Sequence, residues 1–393
     1  LICGKGKWGF DCSVLEGKIE DPLVKEDGRF READYHEATV LIAKRMQTIG
    51  AKYGKNAIAV AISDRYTNEE AYAMKRMAEV MGAKVLCMNN RANGLAEVLG
   101  FDASPNTIDE LLSTNVILRV GFEDNDSRVI SLKMKQAAEA GANVINLCNG
   151  ENDLGFLKEI AKAIIDSGKA KKVEGYDEFA ASVANVKVSD EAKAIADTYL
   201  AAKKAMIVYQ QNFLTVDGAK LVGDIAMLSG HIGSPRNGIL MVKPKNNSQG
   251  LIDMGITAGR EALEGVKALV VFGENADIDT TGLEFLAVCD THMTELAEKA
   301  NVVIPGTGFA SADGTYTNTE RRLQPVTAAI DEDILFTNWE VAAEVASVFE
   351  VEFGWNTEED ISVEMCDTVP AYKYAEVGEV LGGALAPTDE ARL

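Results

Sequence analysis

The chain has 393 residues, 47% of them hydrophobic, and carries 61 acidic against 39 basic side chains for a formal charge of −22. That length asks for two or three domains rather than one core, and the acidity excludes nucleic acid and anionic lipid as electrostatic partners while suiting basic partner subunits. No run of about 18 apolar residues reads as a membrane span, and no basic-then-apolar leader argues for secretion.

The first residue is Leu1, not an initiator methionine, which predicts that the sequence begins within a longer protein. Its opening decapeptide holds Cys3 and then Lys5, among glycines that let backbone approach a bulky group. A thiolate can bind iron, but a cluster takes about four such ligands, so Cys3 by itself reads as structural. The other cysteines, Cys12, Cys87, Cys148, Cys289 and Cys366, are scattered without a Cys-x-x-Cys pair or zinc spacing, as in a reducing compartment. Residues 1–30 show little periodicity, and a helical pattern runs from about 36 to 50. Residues 57–62 are wholly apolar, as a strand buried on both faces requires. A helix over 69–81, strands over 84–88 and 116–120, a helix over 127–140 and a strand over 143–148 follow. The alternation returns with a strand at 205–209, a helix at 216–229, strands at 268–272 and 285–289, a helix at 293–300 and a strand at 302–304. Near the end Glu358, Glu359, Asp360 and Glu364 cluster, and Gly382, Gly383 and Pro387 punctuate a surface-hugging or partner-bound acidic tail.

Strands alternating with helices predict an α/β protein with parallel sheets and helices on both faces. The strands are too many for one small sheet, so two Rossmann-like layers are expected. Ligands of such sheets sit beyond the carboxyl ends of the strands. Attention therefore falls on the loops after Met88, Val120, Cys148, Tyr209, Phe272 and Cys289. Cys87, Cys148 and Cys289 end predicted strands and read as small buried hydrophobes. His36, His231 and His292 form no metal-ligand pair and no Ser-His-Asp arrangement, and read as structural or solvated.

Several blocks resemble the molybdopterin oxidoreductase superfamily, which includes formate dehydrogenases and the large iron–sulfur subunit of respiratory complex I. Cys3-Gly4-Lys5-Gly6-Lys7-Trp8-Gly9 resembles the family's Cys-x-Lys-Gly-Arg-Phe-Gly element. Asp21-Pro22-Leu23-Val24 with Gly28, and Tyr35-His36-Glu37-Ala38, stand where further family runs are usual. Leu228-Ser229-Gly230-His231-Ile232-Gly233 resembles a glycine-rich family loop, and Asn246-Asn247-Ser248-Gln249-Gly250 with Asp253-Met254-Gly255 resembles a formate-dehydrogenase block. The most specific block runs from Ala312 through Asp313-Gly314-Thr315-Tyr316-Thr317-Asn318-Thr319-Glu320-Arg321-Arg322 to Gln324. Gly273-Glu274-Asn275 and Asp290-Thr291-His292-Met293 also fit, and the resemblance covers roughly residues 1–350.

The resemblance implies two Rossmann-like parallel-sheet domains of the molybdopterin-oxidoreductase core with a remnant iron–sulfur domain at the N-terminus. The remnant would span 1–30, a discontinuous first α/β domain 31–90 and 250–350, the second 91–249, and the acidic tail 351–393. It further implies that Cys3 is the fourth ligand of a [4Fe–4S] cluster whose other ligands lie outside these residues, with Lys5 between cluster and pterin. Gly273, Glu274, Asn275, Asp290 and Asn318 stand where the family holds a pterin–guanine dinucleotide. Glycines admit backbone to phosphate, and carboxylates and amides bond guanine and ribose edges. The same residues would also serve as caps and turns, and Asn318, Glu320 and Arg321 as an internal polar network.

Departures from the family decide the expected function. Active members carry a Cys, selenocysteine or Ser metal ligand near the start of the second layer. Here that stretch reads Asn89-Asn90-Arg91-Ala92-Asn93-Gly94-Leu95-Ala96, and nearby Cys87 lacks the usual following His. Formate dehydrogenases place an arginine just before the Asn-Asn-x-Gln-Gly block, where this chain has Lys243-Pro244-Lys245. Lysine and arginine are not equivalent at an oxyanion site. The family's C-terminal β-rich domain is expected to be absent. The expectation is an electron-transfer and scaffold subunit of an NADH-, formate- or hydrogen-linked oxidoreductase complex without its own molybdenum or tungsten catalysis. Its partners would be iron–sulfur and flavin subunits, and its place the cytoplasm or the periphery of a membrane complex without insertion. Whether a pterin persists is left open by the residues. The alternatives are a catalytic molybdenum or tungsten formate dehydrogenase-like piece, and a cofactor-free structural subunit.

Overall fold

The computed structural model describes residues 4–9, 17–90, 93–147, 153–331, 334–382 and 385–393, the side chains of Lys5 and Asp153 excepted. Strand β3 (Ile58–Ile62) buries every residue. Its side chains alternate between two apolar layers, Val60 and Ile62 on one face and Ala59 and Ala61 on the other. β9 (Ala268–Phe272) repeats this beside it, with Val270 and Phe272 on one face and Leu269 and Val271 on the other. Helices must then cover both faces, as in parallel sheets generally.

Among the described residues, β3 and β9 are central in a seven-stranded sheet ordered β2-β1-β11-β10-β9-β3-β4. Its other members are β1 (Leu23–Glu26), β2 (Arg29–Glu32), β4 (Lys84–Leu86), β10 (Phe285–Asp290) and β11 (Val302–Pro305). β1 and β2 form a hairpin that joins β11 antiparallel, while the remaining pairs are parallel. A second, four-stranded parallel sheet runs β6-β5-β7-β8, from β5 (Val116–Val120), β6 (Asn143–Leu147), β7 (Ala205–Gln210) and β8 (Gly238–Val242). β12 (Gly314–Thr317) and β13 (Leu323–Val326) form a separate antiparallel hairpin. The α/β class with parallel sheets read from the alternation is the class observed.

The expected elements differ at their ends for local reasons. The strand expected over 84–88 stops at Leu86, because the Cys87 N–H donates to the Ala258 carbonyl (3.0 Å) and Asn90 N–H turns back onto Cys87 (3.0 Å). The helix expected over 293–300 starts at Glu295, where Thr294 Oγ1 accepts from Ala297 N–H (3.2 Å). The acidic cluster near the end is a helix start. Helix Glu358–Thr368 opens with a capping box between Thr357 and Asp360, and carboxylates near a helix N-terminus are stabilising. That helix buries Ile361 and Met365, and Tyr372 beyond it is fully buried. Residues 385–393 then cross the second sheet's unit, with backbone bonds from Leu385 to Pro105, Thr388 to Leu99, Arg392 to Val98 and Leu393 to Glu174. No helix of the described residues is long and apolar enough to cross a membrane.

Helix Val216–Ser229 carries an anomaly: Asp224 is buried, and its Oδ1 meets no hydrogen-bond partner. Burial pushes its carboxyl up to about 7, against the opposing pull of Lys220. The folded value lies above the ordinary unfolded value of about 4, so stability is full below that pH and falls as pH rises through about 7. Asp224→Asn is therefore expected to raise the melting temperature by a few degrees at about pH 8 and hardly at about pH 5. Thermal unfolding at the two pH values checks this, and an equal shift at both would refute it.

Candidate functional site

The carboxyl ends of β3, β9, β10 and β11 converge on a cavity of about 300 Å³. β3 delivers Arg65 and Tyr66, β9 delivers Gly273, and β10 delivers Asp290, Thr291 and His292; Lys18, Phe309 and Tyr316 complete the rim. Gly273 sits at φ +66°, and a Cβ there would lie 2.5 Å from the Tyr66 ring, so only glycine admits this approach. Asp290 Oδ1 accepts from Thr291 N–H (2.7 Å), and burial raises its carboxyl above the usual range. Glu70, also at the cavity, is buried and raised by desolvation, yet it accepts from Asn338 Nδ2 (2.6 Å) and from Thr67 N–H (2.8 Å).

Of the residues expected at a cofactor, Gly273 and Asp290 line this cavity. Glu274 stands beside it and accepts from Asn89 Nδ2 (3.2 Å); the same amide donates to Asp64 Oδ1 (2.9 Å). Burial raises the Glu274 carboxyl while Arg65 and Lys245 oppose the shift. Asn275 Oδ1 accepts from Leu296 N–H (3.4 Å), at the start of a helix. Asn318 Oδ1 accepts from the Glu320 and Arg322 N–H groups (3.0 and 2.9 Å), which folds it onto its own hairpin tip and not onto the cavity. Cys3 lies outside the described residues, as do Cys12 and Cys148, and the Lys5 side chain is not described. Among the described residues no group of three or more His, Cys, Asp and Glu side chains is placed to hold a metal. Cys87 is buried and its thiol is pushed up to about 12, so it stays protonated.

Sequence reasoning passed over Arg65, Tyr66 and the loop after Ile62, although the strand-end rule applies to β3 as to its neighbours. It also treated His292 as structural or solvated; the ring lines the cavity and bonds Thr291 Oγ1 (3.0 Å). The Asn246–Gln249 stretch turns out to position that missed loop. Asn246 Nδ2 donates to the Arg65 carbonyl (3.1 Å), Asn247 Nδ2 to the Tyr66 carbonyl (2.9 Å), and Ser248 Oγ to Asp64 Oδ2 (2.5 Å). The hairpin block is anchored in the same way. Thr315 N–H and Oγ1 donate to buried Glu69 (2.7 and 2.9 Å), and Thr317 N–H donates to Asn247 Oδ1 (2.9 Å).

Lys243 is directed inward. Its side chain is 1% exposed, and its ammonium forms an ion pair with Asp102, a residue of the second sheet's unit. Burial pulls its pKa down and Asp102 opposes this. Asp102 also accepts from Asn93 Nδ2 (2.6 Å).

The aromatic walls, the raised carboxylate and the cations Lys18 and Arg65 give the cavity the donor set of a nucleotide end: rings to stack a base, a carboxylate to meet its edge, cations for phosphate. The molybdopterin oxidoreductase family model matches residues 18–346. Formate dehydrogenase 2 subunit alpha of Methanococcus maripaludis is 27% identical, the match covering 94% of this chain and 68% of that protein. The probable oxidoreductase YjgC of Bacillus subtilis is 24% identical over 94% of this chain and 47% of its own length. Among solved structures, acetylene hydratase from Pelobacter acetylenicus aligns with a TM-score of 0.71 at 14% identity, over 92% of this chain and 65% of that one. A chain of the formyltransferase/hydrolase complex of Methylorubrum extorquens aligns at 0.56 and 17% identity, over 84% of this chain and 98% of that one.

Removing Lys243 leaves the Asp102 carboxylate without its counter-ion in a nearly closed site. Lys243→Met is expected to cost about 3 kcal/mol of unfolding free energy, and Lys243→Met combined with Asp102→Asn to recover much of it. A urea-unfolding double-mutant cycle measures the coupling; strict additivity would count against the pair.

Proposed function

This chain belongs to the molybdopterin oxidoreductase family, and on that premise we propose that it is an electron-transfer and scaffold subunit of a multisubunit NADH-, formate- or hydrogen-linked oxidoreductase complex, without molybdenum or tungsten catalysis of its own. The observation that carries the reading is the state of Lys243. One of the two lysines in the segment that stands at the arginine position of formate dehydrogenases, Lys243, is closed into an ion pair with Asp102 and turned inward. Cys87, the thiol nearest to the absent metal-ligand position, is buried and protonated.

The cavity at Gly273 and Asp290 fits the nucleotide end of the family's pterin–guanine dinucleotide. Asp290 would meet the base edge, Tyr66, Phe309 or Tyr316 would stack on it, and Arg65 and Lys18 would neutralise phosphate. When bound in relatives that hold the metal, that group supplies the redox centre. In this chain the residues bind and orient, and the closed β3–β9 wall excludes water behind them. Cys3 would contribute a thiolate to a [4Fe–4S] cluster, with Lys5 beside it, and electrons would pass by tunnelling through such clusters. The proposal keeps the division of the α/β body into 31–90 with 250–350 and a second unit at 91–249. It is supported by β3, β4 and β9–β11 sharing one sheet and β5–β8 the other. Basic partner surfaces would suit the charge of −22.

A catalytic molybdenum or tungsten formate dehydrogenase-like subunit is the second reading, favoured by the matches to formate dehydrogenase alpha subunits. Elemental analysis of the complex purified anaerobically separates them. The scaffold reading expects no molybdenum or tungsten, and a stoichiometric amount of either would overturn it. Replacing Cys3 with Ala is expected to remove one [4Fe–4S] signal from the electron paramagnetic resonance spectrum of the assembled complex. An unchanged spectrum and iron content would reject the cluster assignment.

A further inference from the structure

We propose that the outward face of helix Glu358–Thr368, with the turn that follows it, docks a lysine- or arginine-bearing segment of a partner subunit. The inference rests on the reading of the chain as a subunit of a complex, and adds where one partner sits. The face lies beyond residues 18–346, which the family model matches. The inner side of the helix is engaged with the body of the protein. Ile361 and Met365 are buried, Ser362 Oγ donates to Glu69 (2.7 Å), and the Trp339 and Trp355 indoles donate to Glu358 and Glu364 (2.7 and 2.8 Å). The outer stripe, Glu359, Val363 and Asp367, stands at four-residue spacing on one exposed side. Among the described residues neither of its carboxylates has a hydrogen-bond donor or a cation as partner.

Apolar side chains stand on the same segment. Val363 is 61% exposed, Val377 57% and Tyr374 89%. One such residue is ordinary on a surface, whereas several on one short segment point to a contact. The segment is also firmly mounted. Tyr372 is fully buried, and its hydroxyl bonds Thr317 Oγ1 (2.8 Å) and Asn68 Oδ1 (3.2 Å). Further on, Gly378 N–H donates to the Leu323 carbonyl (2.7 Å). Between these two pins Tyr374 is held at φ +64°, a left-handed conformation that costs a non-glycine residue energy. Its ring is thereby presented to solvent on a fixed backbone, and tyrosine in such a setting is a frequent anchor of protein interfaces.

Charge selects the occupant. Residues 350–379 hold nine acidic side chains and one basic, Lys373, in a chain of net −22. Glu376 and Glu379, like Glu359 and Asp367, are exposed, and among the described residues they meet no cation. Such a face repels nucleic acid and anionic lipid. Among the described residues no group of three or more His, Cys, Asp and Glu side chains is placed to hold a metal. A second copy of the chain would bring the same acidic face and the same net charge. A partner segment that carries Lys or Arg among apolar residues answers both halves of the surface, its cations meeting the carboxylates and its apolar side chains covering Val363, Tyr374 and Val377.

The complex purified with the full chain in place provides the test. Carbodiimide, which couples carboxylates directly to amines, is applied and the linked peptides are identified by mass spectrometry. Glu359, Asp367, Glu376 or Glu379 is expected to be joined to lysines of another polypeptide. Tyr374→Ala, and Glu359→Lys combined with Asp367→Lys, are each expected to weaken association with that polypeptide at least about tenfold, as loss of an aromatic anchor or of charge pairing predicts. Both variants should melt as the parent does, because these side chains are exposed. Glu139→Lys, at an exposed acid on the second sheet's unit, is expected to leave association unchanged. An intact complex in which these carboxylates are not linked, links that join only two copies of this chain, or both variants associating as the parent does would each overturn the docking site and leave the subunit reading standing. A parent chain that elutes alone at low ionic strength would overturn that reading and the docking site with it.

Discussion

Strands β3 and β9 leave no side chain along their length for solvent or ligand, because every residue on them is buried between two helical layers. Polar chemistry of these central strands is thereby driven to the loops at their ends. This explains why a single short arc of chain ends, after Ile62, Phe272 and Asp290, holds the cavity, and why glycine is needed at 273, where backbone passes against the Tyr66 ring. It also explains the density of buried polar groups just outside that edge. Loops forced together without a sheet to pair them must find hydrogen bonds elsewhere, or their backbone groups would be left unsatisfied.

The blocks that carry the family resemblance are largely the answer to that demand. Asn246, Asn247 and Ser248 bind the backbone or carboxylate of residues 64–66, and Thr315 and Thr317 bind the N-terminal turn of helix Asn68–Met81. Glu69 and Glu70 sit buried in that turn, their carboxyls raised by desolvation but each accepting several donors. A motif rich in Asn, Thr and Glu thus reads as chemistry in one dimension and as loop anchorage in three. Such an arrangement is required by the loops themselves, whatever chemistry they carry.

Legibility followed the same physics. β9, a uniform apolar run, and β5, apolar but for Arg119, match their expected limits, since burial on both faces writes itself into composition. The short β12–β13 hairpin was not seen inside the most specific block, because its residues are selected for hydrogen bonds to Asn68, Glu69 and Asn247 and carry no alternating apolar pattern. The helix Glu358–Thr368 was hidden by its own capping acids, which resemble a charged tail until Thr357 is recognised as their start. Proximity to a motif did not tell which way an amide points: Gly273 and Asp290 reach the cavity, while Asn318 turns onto the N–H groups two and four residues ahead. Arg65 and Tyr66 carry no motif, and only the position of β3 in the sheet brings them to the site.

Two cations at the seam illustrate why side-chain shape, and not charge alone, sets what each position does. Lys243 ends in a compact ammonium, and one carboxylate, Asp102, suffices to hold it where 1% of the side chain is exposed. Arg321, also buried, donates through its planar fork to backbone carbonyls of Ser104 and Leu381. Those carbonyls belong to two segments far apart in sequence, so one guanidinium fastens the hairpin, the second sheet's unit and the start of the C-terminal strap. A lysine there would reach one of them at a time, and an arginine at 243 would bring donors that a single carboxylate does not satisfy. At the seam, Lys243 and Arg321 are each held by groups of the protein itself. Shape and partner geometry, more than charge, thus decide which segments each buried cation fastens.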